Sequence, residues 1–219
     1  MFEQNVRLAH FTTFKIGGPA KLFCRVKTTA ELINALAEAK GVPVYVLGGG
    51  SNVLVNDKGF DGLVIKVEIG GIASKENSVT AGAGLPLSAV IRTAVGKGLA
   101  GLEFATGVPA SVGGAIWANL GCRSSEISKV VSHCTVTDHQ GNKRMFSNEQ
   151  CQFGYRDSIF KHEPLIVLDA TFQLQVGDAT ALRKTMVELS SLKKEEQNVS
   201  YLQTKFLSIM GLWLHIWDI

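Results

Sequence analysis

Val44-Tyr45-Val46-Leu47-Gly48-Gly49-Gly50-Ser51-Asn52 is the stretch on which the fold turns. Four apolar residues of β-branched and aromatic type read as a short buried strand. That strand runs straight into three glycines. Glycine reaches left-handed conformations and lets the backbone approach a ligand closely. Successive amides in such a turn form a concave nest for an anion such as a pyrophosphate, and Ser51 and Asn52 add side-chain donors. The loop is neither G-x-G-x-x-G nor a Walker A loop. An ordinary glycine-rich turn would show the same letters.

Upstream, residues 20–27 alternate as a strand, with Phe23 and Val26 apolar and Lys21, Arg25 and Lys27 polar. Thr28 and Thr29 offer helix caps ahead of Leu32, Ile33, Leu36 and Ala37 at helical spacing, and Gly41 and Pro43 end that helix. Residues 62–67 read as another strand. The first unit is therefore expected over residues 1–67.

Downstream, a second unit is expected over residues 68–176. Residues 79–81 form a short strand broken at Gly82-Ala83-Gly84, and residues 85–97 a helix with Leu87, Val90, Ile91 and Ala94 on one face. Residues 107–121 are glycine-rich, starting as a loop and turning helical near Val112. Residues 130–137 and 143–146 read as paired strands around the turn letters Asp138-His139-Gln140-Gly141-Asn142. Residues 165–174 make a further strand. Residues 178–196 make a helix with a stripe of Leu182, Met186, Leu189 and Leu192. Strands this numerous and this often adjacent argue against a doubly wound fold, and the fold class expected is α+β.

The chain has 219 residues, 46% of them apolar and 19% charged, which suits a buried core and not global disorder. A net charge of +3 with scattered Lys and Arg gives no nucleic-acid footprint. Cys24, Cys122, Cys134 and Cys151 show no C-x-x-C pair and no zinc spacing, so no metal is expected and the thiols read as buried and reduced. Residues 1–9 do not read as a signal peptide. The apolar run of residues 206–217 is shorter than the roughly 20 residues a membrane span needs. A cytoplasmic protein without a membrane span follows as the expectation; the sequence sets no oligomeric state.

Two further segments carry candidate chemistry. In Gly107-Val108-Pro109-Ala110-Ser111-Val112-Gly113-Gly114-Ala115 small residues would let a flat ring lie against the backbone, or a helix pack closely on a sheet. In Phe153-Gly154-Tyr155-Arg156-Asp157-Ser158 the Arg156 guanidinium could hold a carboxylate in two places, or pair with Asp157.

Thr13-Phe14-Lys15-Ile16-Gly17-Gly18-Pro19-Ala20, the Gly48 loop, Ala81-Gly82-Ala83-Gly84, the Gly107 segment and Tyr155-Arg156-Asp157-Ser158 follow in one order. In this order, from about Leu8 to about Gln197, the chain resembles the UDP-N-acetylenolpyruvoylglucosamine reductase family. The resemblance implies a two-part FAD-binding domain of PCMH type. It implies non-covalent FAD, NADPH as hydride donor, and a UDP-sugar enolpyruvyl ether reduced to the lactyl ether. Gly48, Gly49, Gly50, Ser51 and Asn52 match the pyrophosphate loop. Gly107, Ser111, Val112, Gly113, Gly114 and Ala115 match the flavin-lining segment, and Gly82, Thr13, Ile16 and Gly17 are further candidate contacts. Arg156 matches the catalytic arginine that stabilises the enolate, with Tyr155 beside it at the substrate. His10, His133, His139 and His162 lie outside the glycine loops, which argues against a covalent flavin.

That family also uses a serine proton donor, in a segment like S-A-G-S-x-F-K-N-P, and a glutamate near its end. Neither motif occurs in these 219 residues. Ser158 belongs to the arginine motif and is not that donor. After Gln197 the sequence reads Asn198-Val199-Ser200 and then enters the apolar run with Trp213 and Trp217. The expectation is that residues 177–219 are the start of the substrate domain followed by an atypical tail of about 22 residues, as a frameshift or early stop would leave, and that the substrate domain is largely missing.

Overall fold

A computed structural model describes residues 2–200, with no side-chain description for 194–200. The first sheet contains β1 (Glu3–Arg7), β2 (Pro19–Val26), β3 (Val44–Leu47) and β4 (Phe60–Val67) in the order β1-β2-β4-β3. Helix α1 (Thr29–Glu38) crosses from β2 to β3. Its start is the one the sequence expects: the Thr28 hydroxyl accepts the Glu31 amide at 3.1 Å. β2 and β3 both run parallel to β4, and β1 is antiparallel to β2. The parallel centre places the Gly48 loop at the carboxyl end of β3.

The second sheet contains β5 (Ile72–Lys75), β6 (Ser78–Gly82), β10 (Val131–Asp138), β11 (Lys143–Ser147) and β12 (Leu165–Gln173), in the order β11-β10-β12-β6-β5. Every neighbour is antiparallel. Between β6 and β10 lie α2 (Leu87–Gly96), the short strand β7 (Leu99–Ala100), α3 (Val112–Trp117), and a hairpin of β8 (Gly121–Cys122) and β9 (Ser125–Glu126). β7 pairs with β13 (Gln175–Val176), and α4 (Ala179–Ser200) follows. This is an α+β architecture with one parallel-centred and one antiparallel sheet.

One hydrophobic cluster runs from Val26 and Leu32 through Leu63, Val79, Leu87, Val112 and Ile116 to Phe172, so both sheets and helices α1 to α3 share a core. A smaller cluster of Leu8, Ala20, Phe23, Leu47 and Val64 fills the other face of the first sheet.

Besides the two-residue strands β7 and β13, β1, β5 and the β8–β9 hairpin lay outside the sequence expectation. β1 has no inward-facing alternation, since four of its five residues are exposed, and it exists by pairing with β2. β5 is a polar edge strand of the same kind. The β8–β9 hairpin turns at Arg123-Ser124, which is not turn chemistry. The α4 stripe is also narrower than its letters suggest. Leu182 and Met186 pack on the core, whereas Leu192 is half exposed. Cys24, Cys134 and Cys151 are buried free thiols as expected, but Cys122 is only half-buried. The atypical tail lies outside the described residues beyond Ser200.

Phe172, near the carboxyl end of β12, has 0% exposure and faces Val79 and Val131 on its two neighbours. Phe172→Ala leaves a cavity between both neighbours, and urea unfolding should show a loss of about 3–5 kcal/mol.

Candidate functional site

The Gly48 loop and the Gly107 segment meet at one hydroxyl. Ser111 Oγ accepts the Gly49 amide at 3.2 Å and the Gly114 amide at 3.3 Å, the second as the N-cap of α3. A Cβ on Gly48 would stand 2.5 Å from that oxygen, so the approach requires glycine. Ser51 Oγ donates to the Pro109 carbonyl at 2.5 Å. Gly50 sits at φ +69 beneath the Phe11 carbonyl, which a Cβ would strike, and its own carbonyl accepts the Thr13 amide at 2.9 Å. Lys66 Nζ donates to the Gly48 carbonyl, and burial pushes that ammonium below the ordinary lysine value.

Among the described residues the amides of Gly50, Ser51 and Asn52 donate to no protein acceptor. Three consecutive free donors are what an anion nest offers. Gly49, Asn52 and Gly114 are exposed, so open backbone lies on both sides of the Ser111 junction. A phosphate-bearing cofactor with a flat ring fits these features. Gly113 and Val112 are fixed from behind, their amides bonding to Ala83 O and Leu85 O at 2.8 and 2.9 Å. Ala115 is buried, and Gly107 takes φ +78 against Lys193 of α4.

Gly82 stands apart. It is buried where β6 crosses the 69–71 linker, and a Cβ there would strike the Gly70 carbonyl. Its place is at a backbone crossing. Gly17 packs on Val55 in the same way, and Ile16 is half exposed.

Helix α3 joins this junction to the arginine motif. Its six residues rise about 9 Å. At its far end the Trp117 carbonyl accepts Ser158 Oγ at 2.7 Å, with Ser158 fully buried. Ser158 is thereby occupied as a structural anchor. Asn119, at φ 40 and 1% exposed, donates from Nδ2 to the Gly154 carbonyl at 2.7 Å and accepts the Ser128 amide at 3.1 Å.

These anchors hold a two-residue turn. Gly154 and Asp157 exchange backbone bonds of 3.0 and 3.1 Å, leaving Tyr155 and Arg156 at the tip. Arg156 is left-handed at φ 55, a conformation that costs a non-glycine residue on the order of 1–3 kcal/mol and persists where the surroundings enforce it. Tyr155 is 91% exposed. Asp157 pairs with His162 at 2.9 Å rather than with Arg156, and Arg156 has no ion pair among the described residues. Lys161 Nζ donates to the Arg156 carbonyl at 2.6 Å and sits 4.6 Å from the Trp117 ring. Burial holds its pKa below the ordinary lysine value.

Arg156 opens onto a cavity of about 430 Å³ formed with Asn119, the β8–β9 hairpin, Lys129 and Tyr155. Two cations face it, Lys129 and Arg156, against one carboxylate, Glu126, while the Arg123 guanidinium is engaged by the carbonyls of Phe104, Thr106 and Leu189; the balance favours an anion.

A family profile described as FAD binding domain matches residues 20–144. The UDP-N-acetylenolpyruvoylglucosamine reductase of Lactococcus lactis subsp. cremoris (strain MG1363) is 40% identical over 204 residues, covering 92% of this chain and 68% of the relative. The chain belongs to the UDP-N-acetylenolpyruvoylglucosamine reductase family. The reductase of that name from Clostridium novyi is 38% identical, covering 91% of this chain and 66% of its own length. The crystal structure of the Thermus caldophilus UDP-N-acetylenolpyruvylglucosamine reductase matches with a TM-score of 0.74 at 32% identity, over 89% of this chain and 70% of that one. The chain thus spans about two-thirds of the length of these relatives. The two-part FAD-binding fold of PCMH type is shared with them.

Sequence reading placed Ser111 and Arg156 in the site, but missed Lys66, Asn119 and the β8–β9 hairpin. Lys66 had a readable signal: it is a lone cation inside the apolar run of residues 63–67. Asn119 and the hairpin had none.

Ser111→Ala removes the acceptor of two amides, and thermal or urea unfolding should show a loss of about 1–2 kcal/mol. The Asp157 carboxyl is held below the ordinary aspartate range by its hydrogen bond from His162. A depressed folded value means the brace contributes fully above the unfolded pKa, about 3.9, and is lost as pH falls through the folded one. Wild type and Asp157→Asn should therefore differ in stability at neutral pH and converge on acidification below about pH 4.

Proposed function

We propose that this chain binds FAD non-covalently across the Ser111 junction. With NADPH as hydride donor, it reduces the enolpyruvyl ether of UDP-N-acetylglucosamine to UDP-N-acetylmuramate, a peptidoglycan precursor, in the cytoplasm. The observation that carries this reading is the Arg156 turn. It presents an exposed guanidinium, without an ion pair among the described residues, in an enforced backbone conformation, over an anion-favouring cavity, one short helix away from an anion nest.

FAD, when bound, supplies the hydride-transfer chemistry. Gly50, Ser51 and Asn52 offer their amides to its pyrophosphate, and the open backbone at Gly49 and Gly114 accepts a flat ring. Arg156 offers two parallel N–H donors to the substrate carboxylate. When hydride adds to the alkene carbon, negative charge would grow toward that carboxylate, a fixed guanidinium would stabilise it without reorganising, and the proton that completes the lactyl ether would come from solvent. Asn119, Ser158 and Lys161 hold the Arg156 turn in place. Tyr155 is placed to cover the ligand.

A second reading has its own support. The family's serine proton donor and terminal glutamate have no counterpart in these 219 residues. The chain would then hold FAD without completing turnover, since losing a positioned general acid costs a factor of about 100 to 10,000 in rate. NADPH bleaching of the flavin without consumption of the UDP-sugar would decide for this reading, and sustained turnover against it.

Non-covalent FAD predicts a yellow protein whose colour goes into the supernatant on acid precipitation. Arg156→Ala should keep the colour and the flavin affinity. It should weaken the spectral response of the flavin to the UDP-sugar by about tenfold or more, as loss of a charged hydrogen bond requires. Loss of the colour in that variant would overturn the role given to Arg156.

A further inference from the structure

We propose that Arg123 is a positioning residue. Its guanidinium latches helix α4 to the hairpin that walls the Arg156 cavity, so that ligand affinity in the cavity depends on α4 being docked. The inference rests on the reading of that cavity as the substrate site.

The β8–β9 hairpin pairs Gly121 with Glu126 and Cys122 with Ser125, leaving Arg123 and Ser124 as a two-residue loop. Both are left-handed, at φ 52 and φ 62. Two positive φ values make this a type I′ turn, which favours Asn-Gly and strains any pair of larger residues. Strain at both positions requires something to enforce it.

The Arg123 side chain supplies that. Nη1 donates to Phe104 O at 3.0 Å and to Thr106 O at 3.4 Å, while Nη2 donates to Leu189 O at 3.1 Å. The first two carbonyls precede Gly107 and the flavin-lining segment. The third lies inside α4, 66 residues further along the chain. One planar, always-charged fork thus joins three segments, which a lysine could not do.

The hairpin is also the surface on which Arg156 rests. A Cβ on Gly121 would come within 3.3 Å of Arg156 Nη1. Displacing the hairpin therefore displaces the cation offered to the ligand. α4 touches the flavin side independently, where Lys193 packs over Gly107. The helix is thus placed to couple the two halves of the site.

The test removes the latch and keeps the turn. Arg123→Asn with Ser124→Gly installs the favoured type I′ pair, so the hairpin folds without the guanidinium. Ser124→Gly alone keeps the latch. We expect the double variant to bind flavin as wild type does and to lose about tenfold in affinity for UDP-N-acetylglucosamine enolpyruvate, read from the flavin spectrum. Amide exchange at residues 186–193 should quicken about tenfold in it. Ser124→Gly should keep α4 exchange at the wild-type rate. Arg123→Lys, reaching a single carbonyl, should fall between wild type and the double variant, and reads the same question should the double variant fail to fold.

Wild-type affinity with unchanged α4 exchange in the latch-free protein would overturn the proposal. Arg156→Ala, measured alongside, separates the two claims. If it leaves the affinity unchanged, the reading of the cavity fails. If it weakens the affinity and the latch-free variant does not, the latch alone fails.

Discussion

The Ser111 hydroxyl accepts two amides, one from Gly49, 62 residues away in sequence in the Gly48 loop, and one from the first turn of α3. A hydroxyl oxygen has two acceptor lone pairs, and here both are engaged. That single atom fixes how far the two loops stand from each other. It forbids a side chain at Gly48 and starts α3 at a defined point. Everything beyond it in α3 inherits that placement, including the Trp117 carbonyl that anchors Ser158 and the Asn119 side chain that carries the Gly154 turn. The geometry of the Arg156 turn is set at the Ser111 junction, through one helix about 9 Å long.

The site is built of backbone more than of side chains. Amides of Gly50, Ser51 and Asn52 are left free among the described residues, and carbonyls of Gly48, Gly154, Trp117 and Leu189 receive the side chains that brace them. Backbone groups cannot relocate without moving the chain, so a site made of them is organised before any ligand arrives. Four of the eight left-handed non-glycine residues among the described ones, Asn119, Arg123, Ser124 and Arg156, line the cavity. Their strain is compensated there by hydrogen bonds from Asn119, Arg123 and Lys161.

How much of this was legible in sequence follows from the range of the interactions. Periodicity and capping are local, so β2, α1, α2, β10 and α4 could be read nearly to their ends, and Thr28 could be named as a cap. The Gly48 loop and the Gly107 segment could each be read as candidates, but their contact could not, because nothing local says that residue 49 meets residue 111. β1 and β5 were silent because edge strands owe their existence to a partner and not to their own pattern. The β8–β9 hairpin was silent for a sharper reason. Its turn residues contradict turn chemistry, and only the three carbonyls under Arg123 account for them.

Arg156 shows how a candidate site residue differs from a surface ion pair with the same letters. Tyr-Arg-Asp invites an Arg–Asp bridge, and exposed bridges of that kind contribute about 0–1 kcal/mol. Here Asp157 is taken by His162, the Gly154–Asp157 backbone exchange and the Lys161 hydrogen bond hold Arg156 left-handed, and its guanidinium has no ion-pair partner among the described residues. The braces fix the backbone and leave the charge open, so the cation stays available to an anion that reaches the cavity.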